Sequence, residues 1–380
     1  VGNASALGTG TLTVTGGTLT SGSTELSIAN NITLNGSVIL TGTAGTQGMR
    51  LNGVIGGAGG ITKEGTGRST IVNDSLATPN TFAGSTTVNA GILAVSINAL
   101  ASSSSVHVAG TTDGGLAIGG NGTTSIKNLT GTVDGRIRSD FNLSGNGART
   151  LKITQTTNGT FAGAFIEGGS RQISLVKEGS ATLTLSGSGG YTGSTSVNEG
   201  TLLVNGSGST GSGAVTVASG ATLGGTGTIS GAVTVTGKIA PGDGGIGTLN
   251  TGAVTWKGAT SAGTDTNWNF ALGSANSADK LNITGNFTKD TALGSVFNFD
   301  FLGSAFTGIF TLAQWTGSTT FAASDFSYSN LGGGHTGTFT INGATKELQF
   351  TAVPEPTSAV AGLLLGAGLL RRRREKNVEC

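Results

Sequence analysis

Short runs in which apolar and polar residues alternate fill most of the chain. Clear examples are Thr11–Thr15, Ala181–Leu185, Ala214–Val217 and Ala232–Val235, where Val, Leu or Ala alternates with Thr. A period of two places apolar side chains on one face of a β-strand and hydroxyl groups on the other. Glycine-rich turns separate the runs, and no convincing amphipathic helix precedes residue 250. The pattern predicts an all-β chain of many short strands.

The strand pattern repeats between residues 61–95 and 175–204. Identical residues at matching places are Lys63/Lys177, Glu64/Glu178, Gly65/Gly179, Gly84/Gly193, Ser85/Ser194, Val88/Val197, Asn89/Asn198, Gly91/Gly200, Leu93/Leu202 and Val95/Val204. Strands that each bury one face must stack on like strands, which predicts a solenoid of parallel coils. We expect 89–91 and 198–200 at corners that need positive φ, and we expect stacked Ser, Thr and Asn rows to hydrogen-bond.

The composition fits such a stack and excludes several classes of protein. The 380 residues include 70 Gly, and charged residues make up 10% of the chain, against about 25% in typical soluble domains. Without residues 353–380 the body is near neutral and lacks a basic stripe, so we predict no nucleic-acid partner. Cys380 is the only cysteine, which excludes an internal disulfide and a cysteine metal site in the body.

Aromatic residues are concentrated after residue 250. Eleven of the 15 Phe, all three Trp and Tyr328 lie between residues 251 and 350. The enrichment predicts a differently packed core, or a cap that closes the end of the stack. We therefore divide the chain into a parallel β-helix (1–250), an aromatic-rich β region or cap (251–352) and a C-terminal tail (353–380).

Three acidic residues are candidates for a site that cleaves polysaccharide. They are Asp243, Asp265 and Asp279, in or near the aromatic region. A glycosidase needs two carboxyl groups about 5–10 Å apart, which the sequence does not show. Because Asp in glycine-rich turns more often hydrogen-bonds its own backbone, we predict no catalytic residue and no enzyme activity.

The remaining candidate residues are aromatic or imidazole side chains. Trp256, Trp268 and Trp315 offer either a sugar-stacking platform or a hydrophobic core, and their aromatic-rich β context favours the core. His107 and His335 belong to no metal-binding motif. We predict that both lie in surface loops and that the protein holds no metal and no cofactor.

Three features follow one another in the tail. Pro354-Glu355-Pro356 precedes an apolar run of 12 residues, 359–370. Four arginines come next, namely Arg371, Arg372, Arg373 and Arg374. The run is shorter than the roughly 20 residues of a spanning helix, but snorkelling arginines allow a short helix to sit in a membrane. The arginines favour a cytoplasmic end, so we predict a short transmembrane-like helix.

This order resembles the PEP-CTERM sorting signal over residues 353–380, although the six residues after the arginines are longer than the family pattern. In that family the motif, the helix and the arginines mark exported proteins for an exosortase, a membrane protease that cuts near the motif. The resemblance implies an exosortase-type protease as a transient partner. It also implies transient inner-membrane anchoring and a product at the cell envelope, on the outer surface or outside the cell. The chain starts at Val1, and we interpret that start as either already trimmed or an artificial boundary.

The internal repeat is similar to the autotransporter-associated β-strand repeat. The residues that carry the similarity are 175–179, 182–187, 191–195 and 197–202, and 61–95 is a looser copy. The resemblance implies a right-handed parallel β-helix.

These inferences together predict a secreted structural or adhesive protein of the cell surface or extracellular matrix. Its partner is extracellular polysaccharide or a second copy of the chain. The alternatives are a carbohydrate-active β-helix enzyme, a polysaccharide-binding protein, and simple ligand binding by the aromatic region. A groove that collects Asp, Arg and Trp would favour the enzyme, whereas coil surfaces of only Ser, Thr, Asn and Gly would favour the structural protein.

Overall fold

The protein is an all-β parallel solenoid, as the alternating pattern predicts. The computed structural model describes residues 7–22, 25–42, 48–71, 79–110, 114–141, 147–261, 263 and 266–355. Within these ranges, helix is confined to short 3₁₀ segments such as Ser274–Asn276 and Ala323–Asp325. The right-handed sense of the coil remains a prediction.

The described residues form 38 strands, most of them three or four residues long. The first are β1 (Leu12–Val14), β2 (Gly17–Ser21), β3 (Leu26–Ile28), β4 (Ile32–Leu34), β5 (Val38–Gly42), β6 (Met49–Leu51), β7 (Ile55–Gly57), β8 (Ile61–Lys63), β9 (Arg68–Ile71), β10 (Thr86–Val88), β11 (Ile92–Val95), β12 (Val106–Val108) and β13 (Gly115–Ile118). The middle strands are β14 (Gly122–Lys127), β15 (Leu129–Gly131), β16 (Arg136–Arg138), β17 (Arg149–Thr154), β18 (Gly159–Phe161), β19 (Ala164–Ile166), β20 (Ile173–Glu178), β21 (Thr182–Leu185), β22 (Thr195–Val197), β23 (Thr201–Val204), β24 (Val215–Val217), β25 (Thr222–Gly225) and β26 (Thr228–Ile229). The last are β27 (Val233–Val235), β28 (Lys238–Pro241), β29 (Thr248–Thr251), β30 (Val254–Lys257), β31 (Trp268–Asn269), β32 (Lys280–Ile283), β33 (Phe287–Asp290), β34 (Phe297–Asp300), β35 (Gly308–Trp315), β36 (Phe326–Ser329), β37 (His335–Asn342) and β38 (Glu347–Pro354).

The coils visit three faces in a fixed order, and some coils lack a strand on one face. Face A consists of β2-β5-β8-β10-β12-β15-β18-β21-β23-β25-β28, followed by β31-β34-β36. Face B consists of β3-β6-β9-β11-β13-β16-β19, followed by β26-β29-β32-β35. Face C consists of β1-β4-β7, followed by β14-β17-β20-β22-β24-β27-β30-β33. The number of residues in a coil varies. One coil has 18 residues, from Val215 to its partner Val233, and another has 33, from Val254 to its partner Phe287.

The alternation of residues fixes which side chains lie inside the coils. On face A a column of inward side chains runs through Val38, Ile61, Thr86, Val106 and Leu129, and later through Leu183, Leu202, Leu223 and Ile239. Burying one such aliphatic side chain contributes roughly 1.5–3 kcal/mol. Stacking the coils therefore stabilises each strand and also pairs its backbone groups.

Outward side chains bear out the expected hydroxyl rows. On face C the Thr216 hydroxyl donates to Ser196 Oγ at 3.3 Å, and the hydroxyls of Thr255 and Thr288 lie 3.1 Å apart.

The predicted corners are also confirmed, because Gly91 and Gly200 have φ of 62° and 65°.

The last coils hold an aromatic core. Trp256 and Trp268 stack with ring centroids 3.7 Å apart, and Phe297 and Phe299 meet Trp256 edge-on at 5.4 Å. Both tryptophans and Trp315 are buried. The prediction that these tryptophans form core is confirmed, and none of them offers a sugar-stacking platform.

The parallel stack ends in an antiparallel closure. Strand β35 pairs in parallel with β32, but β38 pairs antiparallel with β35, and β37 pairs antiparallel with β38. Phe310, Phe350 and Phe339 face one another across these three strands. A two-strand closure with an aromatic inner face covers the interior that the last coil would otherwise expose.

Candidate functional site

The repeat motif places two lysines inside the solenoid. Lys63 is the last residue of β8 and Lys177 is the penultimate residue of β20, and both side chains are fully buried inside the coils. The ammonium of Lys177 donates to the carbonyl oxygens of Glu178, Gly179 and Glu199 at 3.0, 2.7 and 2.9 Å. Because Glu199 belongs to the next coil, the lysine joins the turns of two successive coils.

The first repeat builds the same arrangement. Lys63 Nζ donates to the carbonyl oxygens of Glu64, Gly65 and Ala90, the last from the next coil. Burial lowers the pKa of both lysines to about 8. The negative charge of Glu64 raises the pKa of Lys63, and that of Glu199 raises the pKa of Lys177, but neither offsets the effect of burial. Both amines are therefore charged at neutral pH. We call each cluster a lysine clip (Lys63 with Glu64, Gly65 and Ala90; Lys177 with Glu178, Gly179 and Glu199).

Glycines and acidic residues complete the clips. Gly65 and Gly179 adopt φ of 69° and 78°, which L side chains rarely adopt. Glu199 Oε2 accepts a hydrogen bond from the backbone N–H of Gly179 at 3.1 Å. The shared Lys-Glu-Gly triplet is thus a structural device that fastens coil to coil.

A groove opens where the two sheets of face A meet, between β28 and β31. Its volume is about 390 Å³, and Leu203, Thr222 and Ala240 are among the residues that line it. The loop that follows β28 forms one wall and carries Asp243, and Asp279 also lines the groove. Two of the three candidate acids therefore come together at one groove, a proximity that the sequence does not reveal.

The two carboxylates of the groove have different surroundings. Asp243 is exposed, and its Oδ2 accepts a hydrogen bond from Asn205 Nδ2 at 2.7 Å. Asp279 is buried, and its two oxygens accept hydrogen bonds from the N–H groups of Gly247 and Ala271, each at 2.8 Å. Asp279 therefore braces two loops, which is a structural role rather than that of a general acid. The third candidate, Asp265, lies outside the described residues.

The brace makes stability depend on pH. Burial raises the pKa of Asp279 to about 6, although its two backbone hydrogen bonds act to lower that pKa. The folded pKa exceeds the unfolded value of 3.8, so the folded state binds more protons between these values. The stability contribution of Asp279 is therefore present below pH 4 and is lost as the pH rises through 6.

We expect Asp279→Asn to remove this dependence. Between pH 4 and pH 7, wild type should lose about 2 kcal/mol more unfolding free energy than the variant. Urea unfolding across this range measures the difference. Asp134→Asn, at an exposed turn position, is the control and should follow wild type. Parallel pH profiles for wild type and Asp279→Asn would contradict the assignment.

The histidines make local polar contacts. His107 Nδ1 lies 2.8 Å from Thr130 Oγ1 on the outer side of face A, and His335 Nδ1 lies 3.3 Å from the Gly333 carbonyl. His107 lies in β12 and His335 is the first residue of β37, so both lie in strands rather than in the predicted loops. Among the described residues, no three His, Cys, Asp or Glu side chains are grouped to hold a metal ion.

The predicted processing motif straddles the end of the last strand. Pro354 is the last residue of β38, and the N–H of Glu355 donates to the Gly334 carbonyl at 2.7 Å. Pro356, the apolar run and Arg371, Arg372, Arg373 and Arg374 lie outside the described residues, as does the predicted transmembrane-like helix. Over the ranges that the structure does describe, no helix is long and apolar enough to cross a membrane.

Two comparisons with known proteins bear on these features. The family described as passenger-associated-transport-repeat matches residues 61–95 and 175–204, the two segments that carry the buried lysines. The adhesin BmaC autotransporter of Brucella suis biovar 1 (strain 1330) is 32% identical over 266 residues, which cover 61% of this chain. The match covers 8% of that adhesin, so this chain spans a small part of its length. The predicted autotransporter-associated repeat is confirmed, and the prediction that the protein is not an enzyme agrees with both comparisons.

Sequence reasoning noted the shared lysines but missed their burial. The signal was present, because Lys63 and Lys177 fall on the inward phase, two residues after Ile61 and Leu175. A lysine on the apolar phase of a strand must find acceptors inside the fold. No comparable signal pairs Asp243 with Asp279, since the groove forms from segments of different coils.

Proposed function

We propose that the protein is an exported, surface-displayed adhesive protein whose solenoid acts as a stiff, non-catalytic scaffold. The observation that carries this proposal is the clipped parallel solenoid, whose two repeats match a passenger repeat and whose sequence is similar to an adhesin. Outward positions hold mostly Ser, Thr, Asn and Gly, and few charges. Such a surface suits contact with neutral or weakly charged extracellular material.

The tail supports a route to the surface. In this proposal an exosortase-type protease in the inner membrane recognises Pro354-Glu355-Pro356 while the apolar run and the arginines hold the chain transiently. Because β38 ends at Pro354, cleavage after the motif leaves every described strand in the product. The exposed position of Glu355 gives a protease access to the motif.

Intact mass of the protein recovered from outside its native cells tests this route. We expect a product that ends near Pro356. Glu355→Ala should abolish processing, whereas Glu347→Ala, which removes the acidic residue at the start of β38, should leave it intact. A recovered mass that still includes Arg371 to Cys380 would contradict sorting by cleavage.

Attachment tests the adhesive role. Cells that lack the protein should attach several-fold less to their natural surface or to one another, and the reintroduced gene should restore attachment. Equal attachment with and without the displayed protein would rule out adhesion. A carbohydrate-active enzyme is less well supported, because both oxygens of Asp279 are engaged by the backbone.

A further inference from the structure

The groove between β28 and β31 presents polar groups that the fold does not use. Thr201, Thr222 and Asn269 line it, and their side chains make no hydrogen bond to any other described residue. Asp243 uses one oxygen to accept from Asn205, and its Oδ1 accepts nothing from the described part of the chain. Partly exposed donors and acceptors that converge on one cavity are the usual mark of a ligand site.

The floor of the groove is apolar and shallow. Leu203 and Ala240 are half-buried outward residues of β23 and β28, and Leu302 is exposed at the rim. Gly224 lies between Leu203 and Ala240 in the register of face A. A floor with C–H groups below and hydroxyl, amide and carboxylate groups at the sides matches a sugar ring, which has an apolar face and a rim of hydroxyls.

Charge narrows the class of ligand. None of the described lining residues is basic, while Asp243 and Asp279 are acidic. Lys238 lies beside Thr222 in the register of face A, but it does not line the groove. A uronic acid or a phosphate inside the groove would therefore meet carboxylates and no lining cation, which costs binding free energy. Neutral saccharides avoid this cost, and their hydroxyls can donate to Asp243 in a charge-assisted hydrogen bond.

The groove is continuous with a row of outward polar side chains along face A. One residue per coil forms this row, which runs through Thr62, Thr87, His107, Thr130, Thr160 and Thr184 before it reaches Leu203. Neighbouring strands lie about 4.8 Å apart, so hydrogen-bonding groups recur at a regular interval along the axis. The row contains no acidic and no permanently charged side chain, and the groove contains no basic one.

We propose that the groove binds a neutral polysaccharide, which enters it at one end and lies along the outward row of face A. The proposal rests on the proposed adhesive function and names its partner. In this arrangement a sugar ring sits on Leu203 and Ala240, and Asp243, held by Asn205, accepts a hydroxyl. Further sugars then contact the threonines of successive coils.

Calorimetric titration of the full chain tests the proposal. The probes are neutral glucan, mannan and galactan oligosaccharides, each as disaccharides and as longer chains, with oligogalacturonates as the anionic counterpart. We expect binding to at least one neutral series, tighter binding of its longer chains and no comparable binding of oligogalacturonates. Absence of binding to every neutral probe, or equal binding of the anionic series, overturns the proposal.

Matched variants locate the site. Leu203→Lys and Asp243→Ala should each weaken binding at least about tenfold. Thr216→Lys places the same charge on an outward strand position of face C, and Asp134→Asn alters an exposed acid elsewhere; both should bind as wild type. Circular dichroism shows whether each variant is folded. Unchanged affinity in folded Leu203→Lys and Asp243→Ala overturns the assignment to this groove.

Attachment assays on cells distinguish a failure of this proposal from a failure of the proposed adhesive function. If Leu203→Lys reaches the surface and its cells attach as wild type does, the groove is not the adhesive site, while the adhesive function stands. If the wild-type protein is not displayed outside the cell, the adhesive function fails even where the purified protein binds saccharide.

Discussion

Lys177→Met is expected to lower the free energy of unfolding by about 3 kcal/mol. The methionine keeps the length and the apolar stem of the lysine but removes its three donors. Glu178 O keeps a second donor, the N–H of Gln155. The carbonyls of Gly179 and Glu199 lose the donor that the lysine supplies, and an unsatisfied buried group such as the Gly179 carbonyl costs about 1–3 kcal/mol. Chemical denaturation, followed by circular dichroism, measures the loss.

Lys152→Met is the matched control. Lys152 lies on the neighbouring strand β17 and forms a half-exposed ion pair with Glu178 at 2.9 Å. Surface pairs of this kind are worth about 0–1 kcal/mol. Equal losses for Lys177→Met and Lys152→Met would show that the clip carries no special stability. Lys63→Met should reproduce the effect in the first repeat.

Trp256→Ala is expected to cost about 3–5 kcal/mol, the usual range for removing a large buried aromatic. The indole stacks on Trp268 and meets Phe297 and Phe299 edge-on, so its loss leaves a cavity that rigid neighbouring strands fill poorly. Phe306→Ala, at an exposed position, removes an aromatic from the same region and should cost far less.

The damage from Trp256→Ala should remain local. Coils of a solenoid contact only their neighbours, so stability is close to a sum of coil and interface contributions. Hydrogen exchange should therefore quicken at the amides of β30 and β33 and stay unchanged at β5 and β8. Uniform acceleration over the whole chain would mean that the solenoid unfolds as one unit.

The stacked architecture could be predicted from the sequence because its cause is local. A period of two with Val, Ile and Leu on one phase fixes a strand and its buried face, and a matched Lys-Glu-Gly segment reveals the repeat. The corners were predictable for the same reason, since Gly91 and Gly200 occupy backbone conformations that other residues resist.

The groove could not be predicted, because its walls come from segments that are far apart in the sequence and meet only when the coils stack. Leu203, Ala240, Asp243 and Asp279 meet only through the register of β23, β25 and β28 and through the long excursion that leads to β31. That register depends on coil lengths, which vary between 16 and 33 residues. The antiparallel turn of β38 likewise leaves no local signature, because its strand pattern is the same in either direction.

The lysine clips bear on how the solenoid would respond to mechanical tension. When the ends of such a molecule are pulled apart along its axis, the load falls on the parallel ladders between coils and peels them one at a time. A freed coil of 16 to 33 residues releases roughly 50–120 Å of extended chain. Coils without a clip yield first, and those joined through Lys63 or Lys177 resist longer, because a charged group must leave its carbonyls before they separate. The coils joined through Lys63 and Lys177 are therefore expected to stay paired under force, while the coils without a lysine clip separate and lengthen the molecule.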